Sequence, residues 1–441
     1  MYFIYSLLLG LGILVLLPKF LLDAWRHGKY ISGLRERLGL LEKLDSNGHP
    51  VVWLHCVSVG EVQAARPLFQ AIRREFPDYV IAVSTVTVTG QQLALKIFKN
   101  EAHIIHFPVD WRWTVRRTLK AVNPSLVLLM ETELWPNFLR ECRRLSVPVA
   151  VVNGRLSEQS FKRYRLVRPF ISRVVSCLDL AVMQTEPDAE RMRLLGLQPD
   201  RVVVSGNMKF DAGTLAETNT LTEELAARFH FTDGRPVLLA ASTHEPEERI
   251  ILAAFKRLRL SPDLKPLRLI IAPRHPERFA TVAALLDGSR LSWTRRSDRL
   301  AAGDGHADAV LLDSIGELRS LFPLASLVFV GGSLAPIGGH NILEPAAAGG
   351  CIVTGAHTKN FDAIVKAFVN QRAIVQIEPV AGDQAAVVLA EVLENLLRNP
   401  QRRQDLETRA KALVEENRGA TARTILVLQG MLTRAARPES V

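Results

Sequence analysis

Residues 53–61, Trp-Leu-His-Cys-Val-Ser-Val-Gly-Glu, place one carboxylate directly after an apolar segment that has the pattern of a buried strand. In open α/β sheets, ligands bind beyond the carboxyl ends of the strands, where small residues let the backbone approach and the next helix presents free amides. Glu61 is therefore a candidate catalytic base. The alternative is that Glu61 only caps a helix beginning near Val62, because acidic residues favour first helical turns.

Two more charged side chains follow apolar segments in the first half. Glu131 comes directly after Leu-Val-Leu-Leu-Met at 126–130, and Lys209 ends the turn Gly-Asn-Met-Lys. Glu131 is a candidate site residue, although a first helical turn would also favour an acid there. Lys209 could neutralise a phosphate or a carboxylate, whereas a lone lysine is more often a solvated surface charge.

The second half carries groups that suit an anionic ligand. Arg274 follows an apolar run and lies between two prolines, and a guanidinium can bind two phosphate oxygens at once. The stretch Ala-Ser-Thr-His-Glu at 241–245 is typical of a helix N-terminus, and ordinary capping is the expected role of Ser242. Residues 314–317, Ser-Ile-Gly-Glu, begin another predicted helix.

A glycine-rich segment is the strongest indication of a nucleotide site. It reads Val-Gly-Gly-Ser-Leu at 330–334 and Gly-Gly-His-Asn-Ile-Leu-Glu-Pro at 338–345. Glycines let the backbone close on a nucleotide, Asn341 can offer its amide, and Glu344 can accept from ribose hydroxyls. A structural turn would explain the glycines but not the whole pattern.

Neither a metal ion nor a disulfide framework is indicated. The chain has no Asp-x-Asp motif and no His/Asp cluster with metal-ligand spacing. Its cysteines are widely separated and form no Cys-x-x-Cys pair, which favours reduced thiols. They are Cys56, Cys142, Cys177 and Cys351.

Short apolar runs alternate with helix-length segments twice along the 441 residues, which predicts two doubly wound α/β domains of mostly parallel strands. The cap and turn residues of 211–220 are typical of a linker. We expect an N-terminal Rossmann-like domain at 23–211 and a C-terminal one at 212–441, facing each other across a ligand cleft. Helices at 384–434, interrupted near Pro400, could cross back to the first half.

Residues 1–22 are predicted to anchor the chain at a membrane. The first charge is Lys19, and the basic residues come after the apolar run, so the body of the protein is expected in the cytoplasm. The run is borderline in length for a full span, and an interfacial helix would give the same sidedness. The net charge of +10 suits nucleic acid or an anionic membrane surface. Because no nucleic-acid-binding motif accompanies it, the membrane is favoured.

Taken together, these motifs resemble the 3-deoxy-D-manno-octulosonic acid (Kdo) transferase family of Gram-negative lipid A assembly. The resemblance covers nearly the whole chain, including Met-Glu-Thr-Glu-Leu-Trp-Pro-Asn at 130–137 and Pro-Arg-His-Pro-Glu-Arg at 273–278. It implies a GT-B glycosyltransferase fold and an inverting, metal-independent reaction without a cofactor. Kdo would pass from CMP-Kdo to an acylated glucosamine disaccharide, the lipid A precursor lipid IVA, at the cytoplasmic face of the inner membrane.

The resemblance also implies roles for individual residues. Glu61 would be the general base, and Glu131 and Lys209 would stabilise the transition state. His244 and Ser333 are neighbours without an assigned role. Candidates for binding the acceptor's phosphates are Arg35, Arg37 and Arg66. The implied CMP contacts are Pro273, Arg274, Ile315, Gly316, Glu317, Asn341, Ile342, Leu343 and Glu344.

Two other functions fit parts of the pattern. One is a membrane-associated GT-B transferase that uses a UDP-sugar and a lipid acceptor. It is distinguished by its leaving group, because CMP presents one phosphate where UDP presents two. The other is a non-catalytic carrier of the lipid A precursor, and the presence of Glu61 and Arg274 argues against it.

Overall fold

The computed structural model of the chain describes residues 1–27, 33–212, 219–380, 382 and 384–435. It divides into two compact units, Met1–Ala212 with Asn417–Val441 and Gly213–Glu416. We refer to them as the first and second unit. The predicted linker at 211–220 lies mostly outside the described residues.

The first unit is built on a parallel sheet with strand order β3-β2-β1-β4-β5-β6-β7. The order reverses direction between β1 and β4, which pair directly, and such a switch point is where open α/β sheets bind ligands. Its strands are β1 (Val51–His55), β2 (Val80–Thr85), β3 (His103–His106), β4 (Leu126–Met130), β5 (Val149–Gly154), β6 (Leu180–Met183) and β7 (Val202–Val204).

Helices connect these strands and cover both faces of the sheet. The strands β1 and β4 are buried along their whole length, which is why they read as continuous apolar runs. The helices are α1 (Tyr2–His27), α2 (Leu34–Arg37), α3 (Val59–Glu75), α4 (Val88–Phe98), α5 (Arg112–Val122), α6 (Pro136–Arg144), α7 (Glu158–Leu166), α8 (Arg168–Val175), α9 (Glu186–Leu195) and α10 (Lys209–Ala212).

The second unit has a parallel sheet in the order β10-β11-β9-β8-β12-β13-β14. Here the switch point lies between β8 and β12, which are paired. Its strands are β8 (Val237–Thr243), β9 (Arg268–Pro273), β10 (Trp293–Arg295), β11 (Ala309–Leu311), β12 (Leu327–Val330), β13 (Ile352–Thr354) and β14 (Val375–Gln376).

The remaining helices complete the second unit and then return to the first. The α-helices are α11 (Asn219–Phe229), α12 (Glu247–Leu258), α13 (Phe279–Asp287), α14 (Leu343–Ala347), α15 (Asp362–Asn370), α16 (Gln384–Arg398), α17 (Pro400–Asn417) and α18 (Ala420–Ala435). Short 3₁₀ helices occur at Pro199–Arg201, Pro276–Arg278, Asp304–His306, Leu318–Leu324 and Lys359–Phe361.

The last helix, α18, belongs to the core of the first unit. Ile425, Leu428 and Leu432 are buried in the same apolar cluster as Val62 and Leu68 of α3. The phenol of Tyr79 also donates a hydrogen bond to the carbonyl of Leu432. Residues 417–435 therefore group with the N-terminal half in space. The expected C-terminal domain ran from 212 to 441 with terminal helices that could cross back, and α18 is the helix that does so.

The beginning of α1 packs on the first unit. Tyr2 makes an edge contact with Phe170, with ring centroids 5.3 Å apart, and Asn137 donates a hydrogen bond to the Ser6 hydroxyl at 2.9 Å. Other apolar side chains of this helix are exposed, including Phe3 at 79%. Within the described part of the chain, no helix combines the length and apolar character that a membrane crossing needs. The anchor stays a prediction.

Candidate functional site

Glu61 lies at the carboxyl end of β1, in the first turn of α3. This helix begins at Val59, three residues earlier than the sequence predicted, so Glu61 folds back over the turn that precedes it. Its Oε2 accepts from the amide of Val57 at 2.7 Å, and its Oε1 accepts from the Ser58 hydroxyl at 2.9 Å. These two bonds fix the carboxylate in one orientation, as a catalytic base requires.

The surroundings of Glu61 favour its protonated form. Only 6% of the residue is exposed, and burial raises the pKa of its carboxyl to about 7. The negative charges of Glu131 and Glu133 act in the same direction, while the bonds from Val57 and Ser58 oppose the shift. A carboxyl with a pKa near neutral can both accept and release a proton at physiological pH.

Glu131 and Lys209 form an ion pair beside this carboxyl. Lys209 Nζ donates to Glu131 Oε1 at 2.9 Å, and both side chains remain about one quarter exposed. Glu131 directly follows β4 and has a left-handed backbone with φ of 56°, an uncommon conformation for a residue with a side chain. This backbone conformation and the ion pair together place the negative charge of Glu131 and the positive charge of Lys209 at the switch point of the sheet.

Asn153 is a supporting residue that sequence reasoning missed as part of the site. Its Oδ1 accepts from the amide of Met208 at 2.9 Å, and this bond secures the turn that carries Lys209. Asn153 is fully buried and also has a left-handed φ, of 53°. An asparagine at the end of a predicted strand was the sole signal that could have indicated it.

The three arginines predicted to bind acceptor phosphates differ in their availability. The guanidinium of Arg37 donates to the carbonyl of Val86 at 2.6 Å and therefore ties α2 to the loop after β2. Burial lowers its pKa. Arg35 and Arg66 are exposed, so they are the better candidates for an external anion.

In the second unit, three loops converge at the carboxyl ends of adjacent strands. His244 follows β8, Arg274 follows Pro273 at the end of β9, and His340 lies in the loop after β12. The Nε2 atoms of His244 and His340 are 2.8 Å apart. The guanidinium of Arg274 is exposed, and its charge lowers the pKa of both imidazoles in addition to the larger effect of burial.

The glycine-rich loop is held by a carboxylate that the sequence did not single out. Glu247 is fully buried in the first turn of α12. One of its oxygens accepts from the amides of Ser333 and Leu334, and the other accepts from those of Gly332 and His244. The Ser333 hydroxyl bonds to backbone groups within the fold. The amides of Gly332, Ser333 and Leu334 are therefore already satisfied by the protein.

Ser242 is not the helix cap that the sequence suggested. It has a left-handed φ of 55°, while α12 begins five residues later, at Glu247, and has no side-chain cap. The loop between them contains the cis bond Glu245–Pro246. His244 therefore lies in the loop between β8 and α12 and not in a helical turn.

The remaining predicted nucleotide contacts lie in two connected turns. Asn341 Nδ2 donates to Glu344 Oε1 at 3.3 Å, and Arg319 donates to the same oxygen at 3.0 Å. Arg319 belongs to the 3₁₀ helix that begins directly after Glu317, and Glu317 is itself paired with Arg296 at 2.7 Å. Ile342 and Leu343 are buried at the start of α14, whereas Ile315 is exposed beside Gly316, whose φ is 97°.

Within the residues that the structure describes, no group of three or more His, Cys, Asp or Glu side chains could hold a metal ion. The buried cysteines are free thiols.

Comparisons with known proteins agree on fold and family. A UDP-GlcNAc 2-epimerase structure from Neisseria meningitidis, bound to UDP-GlcNAc, covers 86% of this chain and 100% of its own. Its TM-score is 0.54 at 12% identity, a likeness that concerns the fold alone. The parallel sheets of the two units and this likeness confirm the predicted GT-B class.

The family follows from sequence. The family model described as 3-deoxy-D-manno-octulosonic-acid transferase (kdotransferase) matches residues 32–212. A 3-deoxy-D-manno-octulosonic acid transferase from Haemophilus influenzae is 32% identical, over 92% of this chain and 93% of its own. One from Bordetella pertussis is 33% identical, over 86% and 87% respectively. The chain belongs to the Kdo transferase family, as its motifs predicted, and is a glycosyltransferase.

Proposed function

We propose that this protein transfers Kdo from CMP-Kdo to an acylated glucosamine disaccharide of the lipid IVA type, with inversion and with Glu61 as general base. The observation that carries the proposal is the state of Glu61. This carboxyl is oriented by two hydrogen bonds and has a pKa of about 7. A base is most effective when its pKa lies near the working pH.

The reaction would be a single displacement. Glu61 takes the proton of an acceptor hydroxyl while that oxygen attacks the anomeric carbon of Kdo. The bond from this carbon to the phosphate oxygen breaks, and its electron pair leaves with CMP. The anomeric carbon gains positive charge in the transition state, so the fixed charges of Glu131 and Lys209 would stabilise the charge that develops.

The donor would bind to the second unit. Arg274 has an exposed guanidinium, which suits the single phosphate of CMP. The paired Asn341 and Glu344 would contact the nucleoside, because together they offer amide and carboxylate groups to ring and ribose atoms. Residues 315–317, which are also predicted to contact CMP, would complete the donor site. The donor needs no metal ion in this scheme, because fixed cations neutralise its phosphate.

The proposed acceptor would account for the apolar N-terminal helix and for the net positive charge of the chain. A multiply acylated disaccharide stays in the membrane, so an enzyme held at the cytoplasmic surface of the inner membrane meets it without extracting it. The exposed apolar side chains of α1 would insert at the interface. They are Phe3, Ile4, Leu7, Leu8, Leu11, Leu14 and Val15. Arg35 and Arg66 would meet the acceptor's phosphates.

The test is mass spectrometry of a tetraacylated glucosamine disaccharide bisphosphate after incubation with CMP-Kdo and the purified full-length protein. We expect product mass increments of one or more Kdo residues, also in the presence of EDTA. Glu61→Gln should abolish transfer while CMP still binds. Glu75→Gln is the matched control, because Glu75 lies on the same helix but is exposed.

An unchanged acceptor with folded wild-type protein would contradict the proposal. Product formed only from UDP-sugars would indicate the other type of GT-B transferase. Binding of the lipid without transfer from any nucleotide sugar would indicate a carrier. Loss of activity with EDTA would contradict metal independence alone.

A further inference from the structure

His244 and His340 are joined by a hydrogen bond that has no role in the proposed reaction. The two Nε2 atoms are 2.8 Å apart, and the rings are nearly parallel, with an interplanar angle of 6°. A bond between two imidazole nitrogens needs one N–H and one lone pair. In the neutral pair, one proton is therefore shared along this bond.

Such a pair can accept one further proton without losing its hydrogen bond. The ring that donates from Nε2 has a free lone pair at Nδ1, and a proton added there makes that ring an imidazolium, which can still donate from Nε2 to its neutral neighbour. Protonating both rings would place two N–H groups face to face. The pair can therefore take up one proton, and with it one positive charge, but not two.

In the unliganded protein, the surroundings oppose this charge. His244 is 9% exposed, and burial is the main reason why the pKa of His340 falls to about 3. The basic groups that face the pair are Arg274, His275 and, for His244, Arg278. The ring of His275 also makes an edge contact with His244, with centroids 5.2 Å apart.

The nearby carboxylates are already engaged. Glu247 accepts from four backbone amides, including that of His244 itself, and Glu245 and Glu248 are paired with Arg278. Glu247 thereby occupies the amides of Gly332, Ser333 and Leu334, which could otherwise have donated to a phosphate. A phosphate beside Arg274 would therefore meet the imidazole pair.

We propose that binding of the donor's phosphate beside Arg274 adds one proton to the His244–His340 pair, taken from solvent. A phosphate would reverse the sign of the local field, so the imidazolium becomes favourable as soon as the anion is present. The pair then contributes one positive charge to the leaving group. This inference rests on the proposed function, because it requires the nucleotide phosphate at Arg274.

Calorimetry can count the proton. CMP is titrated into the full-length protein near pH 7 in two buffers that differ in ionisation enthalpy, and the difference gives the protons taken up. We expect wild type to take up close to one proton more per CMP than His244→Gln or His340→Gln. Protons that the nucleotide itself gains or loses are the same for all variants and cancel in this comparison. The CMP affinity of wild type should weaken by up to about tenfold per pH unit above neutrality relative to these variants.

Two controls keep the result specific. Cytidine has no phosphate and should bind without the extra proton. His275→Gln alters an exposed neighbour outside the pair and should retain the uptake. Because a His340 variant could fold poorly, ¹⁵N shifts of the imidazole nitrogens in wild type provide an independent readout, and CMP should shift one ring of the pair toward the imidazolium value.

The outcomes separate this inference from the proposed function. CMP binding with equal proton uptake in wild type and both pair variants, or imidazole shifts that stay neutral, would overturn the inference alone. Failure of CMP to bind to folded protein would overturn both.

Discussion

Replacing Glu61 by Gln should stabilise the folded protein at alkaline pH while it removes activity. The folded carboxyl has a pKa of about 7, against an ordinary value of 4.5. Between these values the folded state holds a proton that the unfolded chain has released. The associated stability is present in full below about 4.5 and is lost as the pH rises through about 7.

The magnitude follows from the same two values. Linkage predicts that wild type loses about 2.5 kcal/mol through this one group between about pH 5 and about pH 8. A glutamine has a similar shape and can keep the bond from Val57, but it does not titrate. The pH dependence of the free energy of unfolding should therefore be weaker in Glu61→Gln by this amount.

Urea unfolding followed by tryptophan fluorescence is the appropriate assay. Of the tryptophans in the chain, all except Trp293 lie at positions within the first unit, so the signal reports mainly the unit that contains Glu61. Glu75→Gln serves as the control and should keep the wild-type pH dependence. The reasoning is refuted if wild type and Glu61→Gln lose equal stability between the two pH values.

Three further predictions concern catalysis and stability. The kcat for transfer, measured at saturating donor and acceptor, should rise with pH and level off above about 7, since Glu61 must be ionised to act; a flat profile across this range would exclude it as the base. Lys209→Ala should lower kcat by about 100-fold, with partial rescue by Lys209→Arg, and leave CMP affinity unchanged. A changed Kd for CMP would indicate that Lys209 belongs to the donor site. Glu247→Ala should leave four amides without their acceptor, at about 1–3 kcal/mol each, and circular dichroism should show a much lower urea midpoint. A midpoint equal to that of wild type would mean that water replaces the carboxylate.

The strands of both sheets were largely predictable because parallel strands buried on both faces read as short continuous apolar runs. The exception is β10, Trp293–Arg295, which no apolar run in the sequence indicates. It lies at the edge of its sheet, its residues are only partly buried, and a three-residue segment with Thr and Arg carries no continuous apolar pattern.

The residues of the first-unit site were predictable one by one, but their proximity was not. Each follows a strand, which sequence patterns reveal, whereas the pairing of β1 with β4 brings their ends together. Lys209 contacts Glu131 across 78 residues. Glu247 was missed for the same reason, since its loop partners lie 85 to 87 residues away and a glutamate in a first helical turn has an ordinary local explanation.

Sequence patterns do not show which candidate ligand groups also have partners within the protein. Arg37 bonds to a backbone carbonyl, and Glu344, which stays a predicted nucleoside contact, accepts a hydrogen bond from Arg319. Residue type reveals what a side chain can bind. It does not reveal whether another part of the chain binds it first.

The return of α18 to the first unit affects how the protein is made. A ribosome releases the chain from its N-terminus, and domains generally fold as units during synthesis. Ile425, Leu428 and Leu432 belong to the core that contains α3, yet they emerge only after the whole second unit. The second unit can thus finish folding first, although it is made second. Until then, the nascent first unit exposes an apolar face that chaperones would have to protect.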